Sequence, residues 1–122
     1  MSLHLNPQVR LRARAEFVRV QGAGRRVGTP YMTILALPNA LPHDRLGIVT
    51  SRKFGSAVKR NRAKRRVRSL FRELEPDTAA GKGYLPMDLV VIPKREIAGA
   101  PFGILRDDLR RALARIDRAR LR

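Results

Sequence analysis

The 122-residue chain has no cysteine and no tryptophan, and aromatic residues make up only 5% of it. Without cysteine it can form no disulfide, no thiolate metal site and no cysteine nucleophile. Its apolar runs, such as 34–38 and 89–93, are far shorter than the roughly 18 residues that a membrane-spanning helix needs. Residues 1–17 contain no apolar segment of signal-peptide length. These absences predict a cytoplasmic protein that has no contact with membranes.

Acidic residues are also scarce. The chain has 10 Asp and Glu against 27 Lys and Arg, which gives a formal net charge of +17. A chain of this length forms one domain, 1–122, so basic residues must lie on several of its faces, and nucleic acid is the default partner. Most of the basic residues are arginine, whose planar guanidinium suits bidentate contact with phosphate, although a coding bias toward arginine would give the same count.

The positive charge is concentrated in one segment. No acidic residue occurs between Arg45 and Arg72, whereas ten Lys or Arg lie within 52–72. At about 100° per residue the segment forms a helix with basic residues over roughly half of its surface. The opposite side is an apolar stripe that would dock on a core: Ala63, Val67, Leu70, Phe71 and Leu74. Because like charges at this spacing repel one another, we expect the basic side to bind RNA or DNA; a merely solvated basic face is the alternative.

The apolar periodicity and the positions of Gly and Pro predict six elements. The first is a helix of about three turns, which runs from Leu11 through Ala15 and Val18 and ends at Gly22 and Gly24. Strands at 31–37 and 46–51 follow, and then the basic helix at 56–75. The last two elements are a buried strand at 87–93 and an amphipathic helix from 104 to about 120. The first two strands are separated by a gap of about eight residues that allows an antiparallel hairpin. The order α-β-β-α-β-α predicts an α+β two-layer sandwich with a small mixed sheet, in which the strands flanking the basic helix are parallel. Residues 1–10 and 119–122 are expected to be flexible tails.

The histidines and carboxylates indicate no active site. His4 and His43 have no carboxylate at helical spacing that would suggest a metal site or an acid–base pair. Asp88 opens a buried strand and is either a structural residue, which we favour, or a ligand. Three acidic residues cluster at the end of the basic helix: Glu73, Glu75 and Asp77. They could hold a hydrated divalent cation, but such a cluster is more typical of a solvated helix end. A protein-only nuclease that uses these acids is therefore the least favoured interpretation.

The segment 52–66, RKFGSAVKRNRAKRR, resembles the most characteristic motif of the bacterial ribonuclease P protein subunit. The shared features are a basic pair after a strand, a glycine, Ala-Val, and Arg-Asn-Arg followed by Lys-Arg. Phe17 in the first helix, Arg-Leu-Gly at 45–47 and Asp-Leu-Val-Val at 88–91 also match. The resemblance therefore extends over about residues 11–118.

The resemblance implies a protein without catalytic or metal-binding residues of its own. Such a protein pairs with a large catalytic RNA, which uses bound Mg²⁺ to remove the 5′ leader of precursor tRNA. Nine residues would contact the catalytic RNA: Arg52, Lys53, Lys59, Arg60, Asn61, Arg62, Lys64, Arg65 and Arg68. A separate cleft would bind the single-stranded leader, with Phe17 as its aromatic residue and Tyr31 and Thr33 as weaker candidates. The family also implies a left-handed β-α-β crossover around the basic helix, against the usual right-handed rule.

One departure from the family pattern affects the cleft. Gln21 stands where many members have a second aromatic residue, so less base stacking is expected. The composition also allows an alternative function, a ribosomal or other structural RNA-binding protein with no role in leader cleavage. Neither interpretation involves a small-molecule substrate.

Overall fold

The computed structural model describes residues 10–74 and 86–116. Within them the elements are α1 (Arg14–Ala23), β1 (Arg25–Gly28), β2 (Met32–Pro38), β3 (Arg45–Ile48), α2 (Ala57–Leu74), β4 (Met87–Pro93) and α3 (Phe102–Ile116), with short 3₁₀ turns at Arg52–Phe54 and Arg95–Ala98. The α+β class is confirmed, and the observed order is α-β-β-β-α-β-α. No helix in these two ranges is long and apolar enough to cross a membrane. The predicted tails lie outside the described residues, except for Arg10.

The strands form one mixed sheet in the order β1-β2-β4-β3. β2 pairs antiparallel with β1 and β4, whereas β3 pairs parallel with β4 across the α2 connection. The predicted hairpin between the strands at 31–37 and 46–51 is therefore wrong, because β4 lies between them. The predicted parallel pair is confirmed, and the left-handed sense of its crossover stays a prediction. β1 was not predicted, because this four-residue edge strand buries only Val27 and shows no apolar pattern.

The main core lies between one face of the sheet and the helical layer of α2 and α3. Strand residues such as Ile34, Leu89 and Val91 pack there with Leu105 and Leu109 of α3. The predicted apolar stripe of α2 is confirmed at four buried positions: Ala63, Val67, Leu70 and Phe71. The side chain of Leu74, the fifth residue of the stripe, lies outside the described part of the structure. With this stripe buried, the basic side of α2 faces outward.

A smaller apolar cluster lies on the opposite face of the sheet, beneath α1. Leu11, Val20, Leu35 and Val90 are buried there, and Phe17 is half-buried against them. Val18, one of the apolar residues from which this helix was predicted, does not pack on the sheet and is 57% exposed. α1 therefore contacts the sheet through Val20 and Phe17, and it places the ring of Phe17 at the edge of an open surface.

Candidate nucleic-acid interface

The exposed side of α2 forms a ridge between two open grooves. Asn61, Arg62 and Arg65 are exposed on this ridge. A groove of about 690 Å³ lies on one flank, between α2 and the two 3₁₀ turns, and we call it the turn groove; its basic residues are Lys59, Arg62, Arg65, Arg66 and Arg95. A groove of about 310 Å³ lies on the other flank, between α2, β3 and the segment before α1, and we call it the sheet groove; its basic residues are Arg10, Arg12, Lys64 and Arg68. None of the described residues that line either groove is acidic.

In the turn groove, two of the five basic side chains are engaged in holding the backbone. Arg66 donates to the carbonyl oxygen of Ala98 at 2.9 Å and to that of Ala100. Arg95 donates to the carbonyl oxygen of Lys53 at 2.7 Å. The Arg66 bonds tie the second 3₁₀ turn to α2 and the Arg95 bond ties the two turns to each other, so that the groove has a fixed shape while Lys59, Arg62 and Arg65 remain exposed.

The loop that enters α2 is fixed in the same way. Gly55 has a φ of 148°, a conformation that side-chain-bearing residues rarely adopt. Arg60 donates to the carbonyl oxygen of Gly55 at 2.7 Å. Arg52 and Lys53 are exposed just before it. Arg60, which was predicted to contact RNA, thus holds the loop that contains the exposed side chains of Arg52 and Lys53.

In the sheet groove, an aromatic ring lies beside a glycine. A Cβ atom built on Gly47 would overlap Phe17, whose Cζ would be only 2.7 Å away. Gly47 therefore provides the space that the Phe17 ring occupies above β3. The half-buried ring is bordered by cationic side chains and is accessible from the groove.

The nine residues predicted to contact the catalytic RNA do not all face one way. Lys64 and Arg68 line the sheet groove together with Phe17, whereas Lys59 and Arg62 line the turn groove on the opposite flank. The reason is geometric, since residues four apart share one flank of a helix. The structure thus brings Lys64 and Arg68, two of the residues predicted to contact the catalytic RNA, into the same groove as Phe17.

Tyr31 and Thr33, the weaker candidates for the leader cleft, have different surroundings from Phe17. Tyr31 precedes β2 and packs against the main core on the other side of the sheet. Thr33 pairs with Ile92 on the face that carries α1, but it is only 7% exposed. Of the three, the structure brings only Phe17 into the sheet groove.

Asp88 is the centre of a buried ionic network that links β4 to β3 and α1. Its side chain is fully buried and accepts two hydrogen bonds from Arg45, at 2.8 and 2.7 Å, and one each from Asn39 and Arg19, at 2.9 and 3.1 Å. Burial acts to raise the pKa of Asp88, but the hydrogen bonds from Arg45 and Asn39 outweigh it and hold the pKa below its usual value. Both oxygens of the Asp88 carboxylate thus accept hydrogen bonds from other side chains of the fold, which agrees with a structural role for Asp88.

The same network fixes the start of α1. Arg45 donates to Glu16 at 2.5 Å, and the other oxygen of that carboxylate accepts the backbone N–H groups of Arg12 and Ala13 at 3.0 and 2.9 Å. These two backbone bonds are the largest cause of a lowered pKa for Glu16. Glu16 thereby caps the helix that carries Phe17 and anchors it to β3 and β4.

The other acidic residues and the histidine considered as metal ligands or catalytic groups do not form a site in the described residues. Glu73 is paired with Arg106 at 2.8 Å, whereas Glu75, Asp77 and His4 lie outside the described residues. Within 10–74 and 86–116, no three His, Asp or Glu side chains are grouped so that they could hold a metal ion.

Sequence reasoning missed four basic residues that line the grooves: Arg10, Arg12, Arg66 and Arg95. Arg66 lies within the basic helix, but the other three come from distant parts of the chain. The only sequence signal for them was the net charge, which was too large for one helix and required basic residues on other faces.

Comparison with known proteins gives one consistent result. The family model described as Ribonuclease P matches residues 5–117. The ribonuclease P protein component of Thermotoga maritima is 37% identical over 114 residues, which cover 88% of this chain and 92% of that protein. Among solved structures, the T. maritima RNase P protein gives a TM-score of 0.71 at 35% identity, over 87% of this chain and 96% of that chain. A Staphylococcus aureus RNase P protein gives 0.72 at 26% identity, over 91% and 97%.

Proposed function

This chain belongs to the bacterial ribonuclease P protein family, and from that membership we propose that its two grooves bind two different RNAs, the catalytic RNA of ribonuclease P and the 5′ leader of precursor tRNA. Membership makes it a protein component of an endoribonuclease complex with an RNA partner. It thereby favours this function over a ribosomal or other structural RNA-binding protein. We place the complex in the cytoplasm.

The turn groove and the ridge of α2 fit the backbone of a large folded RNA. Their exposed side chains carry positive charge, no carboxylate is among the described residues that line the turn groove, and hydrogen bonds from Arg60, Arg66 and Arg95 hold the supporting backbone in place. Phosphate contacts of this kind position an RNA without reading its sequence. We therefore assign the catalytic RNA to this side.

The sheet groove fits a single strand, and its composition is the observation that carries the proposal. An accessible aromatic ring lies in an open groove lined by four basic residues, with no acidic residue among the nine that line it. Single-stranded nucleic acids bind such grooves by stacking bases on the ring and by contacts from phosphates to basic groups, with little sequence preference. A leader whose sequence differs from one tRNA to the next requires this kind of site.

In this proposal the chain itself does no chemistry. Its role is to hold the substrate and to screen RNA phosphates, while the catalytic RNA cleaves with its own Mg²⁺ ions. The carboxylates near the sheet groove support this, because Glu16 and Asp88 are engaged by Arg45 and adjacent donors.

A reconstitution assay tests the proposal. We expect that adding the full chain to its cognate RNA subunit at low Mg²⁺ increases the cleavage rate of precursor tRNA. The leader should also add binding energy, so the complex should bind precursor tRNA more tightly than mature tRNA. A structural RNA-binding protein would show neither effect, and absence of both would contradict the proposal.

A further inference from the structure

The segment before α1 extends the edge of the sheet and places Arg10 at the sheet groove. The N–H of Leu11 donates to the carbonyl oxygen of Leu46 at 2.9 Å, and Arg10 forms a parallel bridge to the same residue. The position of Arg10 is therefore set by backbone pairing with β3. Its Nε atom is buried and has no hydrogen-bond partner.

Arg10 lies close to other positive charges in this groove. Burial, together with the charges of Arg10 and Arg65, lowers the pKa of Arg68. Lys64 is one helical turn away on the same flank of α2 and lines the same groove. The nearest carboxylate along the chain, Glu16, is already engaged by Arg45 and two backbone N–H groups. Fixed like charges of this kind are unfavourable unless an anion binds between them.

We propose that Arg10, Lys64 and Arg68 together bind one phosphodiester group of a single-stranded polynucleotide, adjacent to the nucleotide whose base stacks on Phe17. This inference rests on the proposed function in taking a single strand as the occupant of the sheet groove. It goes further in assigning a defined phosphate site and in giving Arg10, outside the basic helix, a direct role in binding.

The experiment uses the full chain without the catalytic RNA. Its ligands are short, fluorescein-labelled RNA strands that carry one adenine between abasic residues, so that stacking on Phe17 fixes their register. In each strand one linkage is replaced by an uncharged methylphosphonate, and the position of this linkage is moved along the series. Affinities are measured by fluorescence anisotropy for the unchanged chain, for Arg10→Gln and for Arg111→Gln, a control at an exposed position on α3 that lines neither groove.

We expect one methylphosphonate position to weaken binding several-fold in the unchanged chain and in Arg111→Gln. Arg10→Gln should bind the unmodified strand several-fold more weakly, and the same methylphosphonate should then have a smaller effect than in the unchanged chain, because only Lys64 and Arg68 remain to contact that phosphate. The slope of log affinity against log salt should decrease in Arg10→Gln by about 0.7, the value for one lost phosphate contact with a single strand.

Two results would overturn the phosphate site. One is an equal effect of every linkage, and the other is an equal effect of Arg10→Gln and Arg111→Gln. If one of these results appears while the chain still stimulates precursor tRNA cleavage, the phosphate site fails and the proposed function stands. If the site is found but cleavage is not stimulated, the proposed function fails.

Discussion

Phe17 and Gly47 form a pair in which the absence of one side chain makes room for another. The ring occupies the space that a Cβ at position 47 would fill, and the buried cluster against which it packs includes Leu11 and Val90. A ring held in this way needs little reorganisation when a base stacks on it. Two substitutions test this pair.

Phe17→Ala removes the stacking surface. Since stacking of a base on an aromatic ring contributes about 1–3 kcal/mol, the preference of the holoenzyme for precursor over mature tRNA should fall by roughly 5- to 150-fold. Affinity for the catalytic RNA should change little. Both affinities can be measured by equilibrium binding, with Val18→Ala, an exposed neighbour on α1, as the control. Equal losses in both affinities would contradict a separate role for Phe17.

Gly47→Ala should displace the ring without removing it. We expect weaker leader binding than in the unchanged chain, because the added methyl group overlaps Phe17. Gly22→Ala is the matched control, since a Cβ at that position meets nothing within 4 Å. In a Phe17→Ala background the Gly47→Ala change should have no further effect on leader affinity. An additive loss in the double variant would show that Gly47 acts by another route.

At the scale of elements, α2 separates the turn groove from the sheet groove. The periodicity of its sequence was sufficient to predict the buried stripe and the exposed basic side, because these depend only on helical geometry. Periodicity could not show that Lys64 and Arg68 border one groove while Lys59 and Arg62 border the other. That division depends on which elements pack along each flank of the helix, and these come from residues far away in the chain.

Arg65→Glu tests the division. Arg65 is exposed and lines the turn groove, so reversal of its charge should weaken binding of the catalytic RNA by tenfold or more at low salt. The ratio of precursor to mature tRNA affinity, measured at saturating RNA subunit, should change less than in Phe17→Ala. Arg111→Glu provides the same charge change on α3. A loss of leader preference as large as that of Phe17→Ala would indicate that the two grooves act as one site.

At the scale of the whole molecule, the network around Asp88 joins α1, β3, β4 and the loop that contains Asn39. The sequence indicated a structural role for Asp88 only from its place at the start of a buried strand. Its partners could not be predicted, because Glu16, Arg19, Asn39 and Arg45 are brought together by the order of strands in the sheet. The same limit explains the wrong hairpin, since local spacing does not reveal that β4 inserts between β2 and β3.

Asp88→Asn should destabilise the fold by about 3 kcal/mol, because it leaves the half-buried Arg45 without its main partner. The pKa values of Asp88 and Glu16 are lowered in the folded state. Their contribution to stability is therefore fully present above the unfolded-state pKa values of about 4, and it is lost as the pH falls through the folded-state values. Urea unfolding between pH 7 and pH 3 should show a steeper loss of stability in the unchanged chain than in Asp88→Asn. Parallel curves would contradict this assignment.

The two edges of the sheet have a consequence for the chain when no RNA is present. One edge is the four-residue β1, which carries Arg25 and Arg26 exposed, and the other is paired with the segment at Arg10 and Leu11. Among the residues that the structure describes, a short cationic edge and an edge bridged at Leu46 both disfavour strand pairing with a second copy of the chain. The exposed charges of Arg25 and Arg26 thus oppose self-association through this edge.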